Sequence, residues 1–445
     1  MGKLFGTDGV RGIANTELSA LLALKLGSAS AYVLRKKHEG AKILIGRDPR
    51  ISGDILESAM AAGICSLGVD VYLAGVIPTP AVAFLSQQMH ADAGIVISAS
   101  HNPMRDNGIK FFGADGYKLL DEIEAEIEGQ LKRFDSLPRP DGAGVGRMYR
   151  AHDLEDAYLD HLRRILPHRL DGMKIALDCA NGAVYELAPR LFSEFGAETV
   201  VIHDRPDGTN INVNCGSLYP RALQDLVLKT GAHIGLAFDG DGDRAILIDE
   251  NGRAVDGDHV LAICALHLAR KDRLPQRAVV STVMSNIGLE IALSREGIRL
   301  LRTQVGDRYV SDEMRKTDIV LGGEKSGHVI FAEHATTGDG MVTALQVLGI
   351  MLETGKPLSE LAAVMEEFPQ ILVNVPVGDK HGWERVPEIT SAIQAAEKRL
   401  AGRGRVFVRA SGTEKLIRVM AEGPDLAELE HITGEICSAV KKALG

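Results

Sequence analysis

The sequence contains few cysteines and no long apolar run. Its five cysteines lie far apart and include no C-x-x-C pair: Cys65, Cys179, Cys215, Cys264 and Cys437. Their odd total and wide spacing argue against a disulfide framework and a zinc cluster. No segment of about 18 uncharged apolar residues predicts a membrane span. The N-terminus also runs into Gly6-Thr7-Asp8-Gly9 without an apolar signal segment. We therefore expect a cytoplasmic protein with free thiols.

An excess of positive charge is also absent. The chain has 60 acidic and 50 basic residues, which gives a formal net charge of -10. A negative chain is a poor partner for a polyanion, so the composition disfavours nucleic acid as the main ligand. A local basic pocket could still bind a small phosphate.

The length and the order of apolar segments predict several domains. At 445 residues the chain exceeds what one hydrophobic core usually serves. Residues 43–98, 174–238 and 278–320 each alternate apolar strands with helical patterns, which is typical of layered α/β domains. A segment rich in Pro and Gly at 136–146 marks a boundary, and the pattern changes near 371. We predict three similar layered α/β domains and a smaller C-terminal α+β domain around a central cleft: 1–150, 151–252, 253–370 and 371–445.

The strongest chemical signal is the run Asp239-Gly240-Asp241-Gly242-Asp243-Arg244. Three carboxylates at alternate positions suit a hard divalent cation. An EF-hand with Glu250 at its twelfth position is one competing interpretation, and a solvated acidic turn is another. The EF-hand needs a sharp turn where Arg244 stands, and residues 245–248 have the pattern of a buried strand. The run therefore predicts a magnesium-type site.

Ser100 lies in the run Ser98-Ala99-Ser100-His101-Asn102-Pro103, directly after an apolar strand at 94–97. This placement puts a hydroxyl at the carboxyl end of a strand, where α/β proteins bind ligands. A capped turn before proline would explain the same residues without chemistry. Because no G-x-S-x-G elbow is present, a Ser/His/Asp hydrolase is disfavoured. Beside a metal site, Ser100 could carry a phosphoryl group.

Two further loops have side chains suited to a sugar phosphate. Residues 323–328 place a carboxylate and a hydroxyl between glycines, a pair able to bind vicinal sugar hydroxyls. Residues 409–414 offer a guanidinium, two hydroxyls and a glycine, which suit a phosphate dianion, and Arg418 follows closely. An ordinary turn between strands remains an alternative for the second loop.

Together, these four motifs resemble the α-D-phosphohexomutase superfamily over essentially the whole chain. Within that superfamily, residues 5–12, 283–286 and 305–309 are most similar to members that act on amino sugars. The resemblance implies interconversion of glucosamine 6-phosphate and glucosamine 1-phosphate, a step toward UDP-N-acetylglucosamine. It also implies small-molecule sugar phosphates as partners, no nucleic acid, no membrane, and a homodimer as one assembly to test.

The resemblance further implies a role for each matching residue. Ser100 would be the phosphoserine, phosphorylated by a hexose 1,6-bisphosphate activator. One Mg²⁺ would be held by Ser100, Asp239, Asp241 and Asp243. The other catalytic residues would be Arg11, His101, Lys110 and Arg244. Substrate would be bound by Glu324, Ser326, His328, Arg409, Ser411, Gly412, Thr413 and Arg418. Lys325 and Lys415 depart from the superfamily pattern beside these loops.

Three alternatives remain open at this point. A phosphomannomutase or phosphoglucomutase would carry the same motifs, because sequence alone displays no recognition of the 2-amino group. A phosphoserine phosphatase-like hydrolase would release inorganic phosphate without a bisphosphate primer. A non-catalytic sensor would bind sugar phosphate without labelling Ser100.

Overall fold

The computed structural model describes residues 4–6, 8–35, 40–151, 153–411 and 415–445. The chain forms two compact units, one of Met1–Met284 with Ile298–Val364 and one of Ser285–Gly297 with Met365–Gly445. Three mixed sheets lie in the first unit, and one antiparallel sheet lies in the second. The predicted succession of three α/β layers and a smaller C-terminal α+β layer is confirmed.

The first sheet contains strands β1 (Val10–Ile13), β2 (Lys42–Arg47), β3 (Asp70–Val76), β4 (Ala93–Ile97), β5 (Asp106–Gly113) and β6 (Met148–Arg150). Its helices are α1 (Ala20–Leu34), α2 (Gly53–Cys65), α3 (Thr79–Gln88) and α4 (Asp121–Leu131). The strand order is β1-β5-β4-β2-β3-β6. Strand β4 is parallel to β2 and antiparallel to β5, with Val96 opposite Lys110. The loop from β4 to β5 carries Ser100.

The second sheet contains β7 (Lys174–Asp178), β8 (Glu198–Ile202), β9 (Ile234–Phe238), β10 (Ala245–Asp249) and β11 (Ala254–Val255). Its helices are α5 (Leu154–Arg163), α6 (Leu187–Glu194) and α7 (Arg221–Thr230). Strand β9 is parallel to β7 and antiparallel to β10, and the loop between β9 and β10 is the acidic run. Because β10 occupies the positions of a calcium loop and Glu250 binds Ser359, the EF-hand alternative is excluded.

The third stretch contains β12 (Ala278–Thr282), β13 (Arg299–Thr303), β14 (Leu321–Gly323) and β15 (Val329–Phe331). The helices along it are α8 (Gly257–Arg270), α9 (Ile287–Arg295), α10 (Asp307–Thr317), α11 (Gly340–Thr354) and α12 (Leu358–Ala362). Strand β14 is parallel to β12 and antiparallel to β15. All three sheets thus share one arrangement: a strand that is parallel to its neighbour is followed by a polar loop and then by an antiparallel strand.

The fourth sheet contains β16 (Gln370–Pro376), β17 (Arg405–Ala410) and β18 (Leu416–Glu422), in the order β16-β18-β17. Helices α13 (Pro387–Leu400) and α14 (Leu426–Leu444) cover it, and their apolar faces form its core. Asp425 begins α14 by accepting hydrogen bonds from two backbone amides of the first turn.

The described residues also answer two expectations about composition. All five cysteines are buried free thiols. Within the described ranges, no helix combines the length and the apolar character that crossing a bilayer requires.

Candidate active site

Ser100 is a buried residue with a strained backbone. Its φ is 51°, in the left-handed region that non-glycine residues rarely adopt, and the residue is only 1 % exposed. Its hydroxyl donates a hydrogen bond to Asp239 Oδ2 at 2.6 Å, and Oγ lies 3.1 Å from Nδ1 of His101. Backbone strain of this kind persists only where the surroundings fix it, and it is frequent at reactive sites.

Arg50 supplies those surroundings, although nothing in its sequence position indicated a role. Its side chain is fully buried, and Nε donates to Asp48 at 2.8 Å. The guanidinium also donates to three carbonyls of the loop, those of Ser100 (2.8 Å), Asn102 (2.8 Å) and Pro103 (2.6 Å). Such a planar fork of donors can hold several acceptors at once. Arg50 therefore shapes the loop that presents the Ser100 hydroxyl.

Replacing Arg50 by alanine should unfold this loop and strip Asp48 of its counter-charge. Breaking a buried ion pair costs about 3 to 5 kcal/mol. We expect a loss of stability of that size in urea denaturation, together with weaker phosphorylation of Ser100. Arg221, which is 82 % exposed at its side chain, provides the control Arg221→Ala. Equal stability of the two variants would contradict the role given to Arg50.

The acidic run forms a compact, buried triad. One ligand atom from each of Asp239, Asp241 and Asp243 lies within 4.8 Å of the others. Among the described residues, Oδ1 of Asp241 and Oδ1 of Asp243 have no hydrogen-bond partner, although both atoms are buried. Buried carboxylate oxygens are costly without a partner, and hard cations bind such oxygens. The triad therefore fits a divalent cation.

The charges around the triad support the same conclusion. Burial, and then the charges of Asp243 and Asp241, raise the pKa of Asp239 well above its ordinary value. Burial also acts to raise the pKa of Asp243, but Lys110 and His328 hold it well below its ordinary value. The positive groups of the protein thus compensate the charge of Asp243 but not that of Asp239. A bound cation would correct this imbalance.

Neighbouring backbone shapes the triad closely. A Cβ on Gly240 would stand 2.6 Å from the carbonyl oxygen of Ser100, so only glycine allows this approach. Thr79, at the start of α3, donates from its backbone amide to the carbonyl of Asp241 at 2.9 Å. Its hydroxyl donates to Oδ2 of the same residue at 2.5 Å. Asp241 is thereby fixed by a residue 162 positions away.

Lys110 and Arg244 place positive charge beside the triad. Nζ of Lys110 donates to Asp241 at 2.8 Å, and its side chain is 2 % exposed. Burial alone would lower the pKa of Lys110, but Asp241 and Asp8 raise it well above its ordinary value. Nε of Arg244 lies 3.5 Å from Asp243. Both groups remain cations able to offset charge on a transferring phosphoryl group.

His101 has the opposite electrostatic character. Burial, followed by the charges of Arg244 and Arg11, lowers its pKa to about 4. The imidazole is therefore neutral near pH 7 and can accept a proton. Arg11 binds Asp8 at 2.5 Å, and both residues line the same cavity as His101.

This cavity has a volume of about 390 Å³. It is lined by residues from the parts of the chain that form the first, second and third sheets. Glu324 lines it, with Oε1 accepting from the amide of Gly306 at 3.2 Å. The hydroxyl of Ser326 is buried and has no hydrogen-bond partner in the described part of the chain. Glu324 and the unsatisfied Ser326 can thus offer an acceptor and a donor to a sugar. Lys325, the departure from the family pattern, instead pairs with Asp256 at 2.7 Å.

His328 follows that loop and is 1 % exposed. Its Nε2 accepts from the amide of Gly338 at 3.0 Å, and its Nδ1 lies 3.6 Å from Asp243. The predicted residues Ser100, Lys110, Arg244 and His328 are therefore brought together with the acidic triad.

The predicted phosphate loop lies in the second compact unit. Arg409 of β17 stands opposite Arg418 of β18 in the sheet register. Burial, and then the charge of Arg418, lower the pKa of Arg409. Facing like charges repel each other, and a bound dianion would relieve that repulsion. Ser411 is 3 % exposed, whereas Gly412 and Thr413 lie outside the described residues.

Several residues that shape the site escaped the sequence analysis. Asn212 donates to the carbonyl of Ser100 at 2.8 Å. Asp8, Lys118 and Asp307 form a further set of partly buried charges at the cavity. Asp8 and Asp307 lie in the polar runs 5–12 and 305–309, which resemble the superfamily, so their place near the site could have been predicted. Their pairing with Lys118 could not, because the three residues lie far apart along the chain.

Comparison with family models assigns every part of this architecture. Residues 2–137, 156–252 and 256–368 match the phosphoglucomutase/phosphomannomutase alpha/beta/alpha domains I, II and III. Residues 372–439 match the C-terminal domain of the same family. The phosphoglucosamine mutase of Desulforamulus reducens is 54 % identical over 441 residues, which cover 99 % of each chain. The chain belongs to the phosphoglucomutase/phosphomannomutase family. It is accordingly an enzyme, a phosphohexose mutase of the isomerase class.

Other relatives agree. The phosphoglucosamine mutase of Moorella thermoacetica is 55 % identical over 97 % of this chain and 98 % of its own. A solved phosphoglucomutase/phosphomannomutase family protein from Burkholderia thailandensis has a TM-score of 0.82 at 25 % identity, covering 99 % and 97 % of the two chains. Aspergillus fumigatus N-acetylphosphoglucosamine mutase, solved with GlcNAc-6P and magnesium, shares the fold at a TM-score of 0.68 and 19 % identity, covering 99 % and 96 %.

Proposed function

We propose that this mutase interconverts glucosamine 6-phosphate and glucosamine 1-phosphate through a phosphoserine at Ser100. The observation that carries the mechanism is the hydrogen bond from the strained Ser100 hydroxyl to Asp239, the first carboxylate of the triad. The assignment of glucosamine is supported by relatives more than half identical over nearly their whole length that are named phosphoglucosamine mutase.

The reaction consists of two phosphoryl transfers. In the first, the bond between phosphorus and Ser100 Oγ breaks while a bond forms to the 1-hydroxyl of glucosamine 6-phosphate, whose proton is released. The product is a 1,6-bisphosphate, which turns end for end. Ser100 Oγ then takes the 6-phosphoryl group, and the 6-hydroxyl that leaves regains a proton. The serine is phosphorylated again, so atoms and charge balance over the cycle.

Side chains of the cavity have defined roles in this proposal. Lys110 and Arg244 offset the charge that spreads over the transferring group, and Arg11 adds to the positive wall. His101 is a candidate to take the proton of the Ser100 hydroxyl in the second transfer, because its Nδ1 lies 3.1 Å from Ser100 Oγ. Glu324, Ser326 and His328 bind the sugar hydroxyls in both orientations.

The cation and the activator belong to the same proposal. We propose that Ser100 and the three aspartates hold one Mg²⁺, which when bound would neutralise charge on the carboxylates and the phosphoryl group. A hexose 1,6-bisphosphate would phosphorylate Ser100 in new enzyme.

We also propose domain limits near residues 150, 252 and 370, a cytoplasmic location and a homodimer.

Turnover of three substrates tests the function directly. Wild-type enzyme primed with glucose 1,6-bisphosphate should convert glucosamine 6-phosphate with a higher kcat/KM than glucose 6-phosphate or mannose 6-phosphate. A preference for either neutral sugar would assign the chain to phosphoglucomutase or phosphomannomutase activity. Release of inorganic phosphate without isomerisation would point to a hydrolase.

The substrate phosphate that is not reacting would be bound by the C-terminal loop residues Arg409, Ser411, Gly412, Thr413 and Arg418. A charge-assisted hydrogen bond contributes about 1.5 to 3 kcal/mol, so Arg409→Ala should weaken binding of both monophosphates by roughly tenfold to a hundredfold. The variant should also release more free bisphosphate per turnover. Calorimetry with each monophosphate measures the effect, and Arg403→Ala, at a side chain 58 % exposed, is the control. Weakening for only one isomer would refute a shared anchor.

A further inference from the structure

Lys118 pairs with two carboxylates, and the proposed reaction gives no role to these pairs. Its Nζ lies 2.5 Å from Asp8 Oδ1 and also contacts Oδ2 of Asp307. The side chains of all three residues are at most 16 % exposed. A lysine that pairs with two carboxylates at once loses much of its mobility, so it can fix both of them.

Each of these carboxylates leads back to the acidic triad by a different path. Oδ2 of Asp8 lies 3.2 Å from Nζ of Lys110, which donates to Asp241 at 2.8 Å. Arg11 also contacts Asp8, at 2.5 Å. Lys118 and Lys110 are thereby joined through one shared carboxylate.

The second path runs through Asp307. Its Oδ2 lies 3.7 Å from Nε2 of His328, and Nδ1 of His328 lies 3.6 Å from Asp243. Asp243 in turn lies 3.5 Å from Nζ of Lys110. The two paths close into a ring of neighbouring groups: Lys118, Asp8, Lys110, Asp243, His328 and Asp307.

The position of Lys118 in this ring separates it from the reacting groups. Of the described residues that line the cavity, Asp8, Asp243 and Asp307 are members of the ring, and Lys118 is not a lining residue. Lys118 is therefore placed to act through its neighbours rather than on the substrate.

We propose that Lys118 is a positioning residue, which holds Asp8 against Lys110 and Asp307 beside His328. This inference rests on the proposed phosphoryl transfer at Ser100. Without the Lys118 ammonium, Asp8 would be shared by Arg11 and Lys110 alone, and the ammonium of Lys110 would be drawn away from Asp241. A displacement of about 1 Å far from the reacting atoms can lower a rate by on the order of a hundredfold.

Lys118→Met removes the charge and keeps a side chain of similar length. We expect kcat to fall by roughly tenfold to a hundredfold. KM should change by less than about threefold, because the sugar contacts of Glu324 and Ser326 and the phosphate contacts at 409–418 do not involve Lys118. Lys118→Arg keeps the charge and should recover part of the loss. Lys229→Met, at an exposed position on α7, is the matched control and should leave kcat unchanged.

A double-mutant cycle with Lys110→Met decides whether the effect passes through Lys110. Rates are divided by the amount of folded enzyme, isolated by gel filtration, that carries the phosphoryl group by intact mass. A loss of folded protein or of phosphorylation therefore does not lower the rate. If Lys118 positions Lys110, adding Lys118→Met to Lys110→Met should change the residual rate by less than about threefold. If Lys118 had a purely structural role, Lys118→Met would lower the rate by the same factor in wild-type enzyme and in Lys110→Met. That result would overturn the proposal. So would an unchanged kcat in Lys118→Met.

Lys118→Met leaves two partly buried carboxylates short of one cation, so it could prevent folding. In that event, Lys118→Met combined with Asp307→Asn, which removes one charge of each sign, replaces it in the same cycle. The wild-type enzyme separates the two hypotheses: no turnover of any hexose phosphate would refute the proposed function as well. Normal wild-type turnover without coupling between the lysines would refute the role of Lys118 alone.

Discussion

Ser100→Ala should abolish mutase turnover, because the hydroxyl is the obligatory carrier in a two-step exchange. The protein should nevertheless fold, since the loop is held through backbone carbonyls by Arg50 and Asn212 rather than through the Ser100 side chain. Turnover is measured with a coupled assay for the 1-phosphate. The matched control is Ser58→Ala, an exposed serine on α2, which should retain wild-type turnover.

Mass spectrometry provides the complementary result for the same serine. Wild-type enzyme treated with a hexose 1,6-bisphosphate should gain about 80 Da on the peptide that contains Ser100, the mass of one phosphoryl group. Ser100→Ala should gain nothing under these conditions. Near-normal turnover of this variant, or phosphate found only on other residues, would sink the phosphoserine mechanism.

Asp241→Asn should lower turnover by orders of magnitude and weaken Mg²⁺ binding. The substitution removes charge from a hard-cation site and also weakens the pairing with Lys110, which donates to Asp241 at 2.8 Å. Calorimetry with Mg²⁺ alone separates the loss of the ion from the loss of catalysis. Unchanged magnesium affinity would reject the assignment of the triad.

Thr79→Val is the matched comparison for this experiment. It removes the 2.5 Å hydrogen bond to the same carboxylate oxygen but leaves the charge of Asp241 in place. We expect it to reduce Mg²⁺ affinity far less than Asp241→Asn, because it removes one supporting hydrogen bond, worth about 1.5 to 3 kcal/mol to a charged acceptor, and keeps the charge that binds the cation. Equal losses in the two variants would mean that geometry, rather than charge, dominates the site.

The sequence predicts local features of the fold well, because they depend on short patterns. The apolar segment at 234–238 is strand β9, and the acidic run follows it directly, as expected. Strand β5, which carries Lys110, was not predicted. It combines buried polar residues such as Asn107 with apolar ones, so its pattern is neither alternating nor continuously apolar.

Long-range contacts account for most of the site residues that sequence analysis missed. Arg50 binds carbonyls about 50 positions away, and Lys118 pairs with Asp307 across 189 positions. Such pairs follow from how the sheets are assembled, which periodicity does not encode. The triad was found from sequence because its three carboxylates are neighbours along the chain, whereas the ring around Lys118 has members from separate loops.

The strained loop at Ser100 also has a consequence for how the enzyme is made on the ribosome. Arg50 and the carbonyls it binds belong to the first 106 residues, so the nascent chain can shape this loop early. The carboxylate that accepts from the hydroxyl follows 139 residues later. At about 5 to 20 residues per second, this interval is roughly 7 to 28 seconds. During synthesis the serine loop is therefore complete before the carboxylate that accepts its hydrogen bond has been added to the chain.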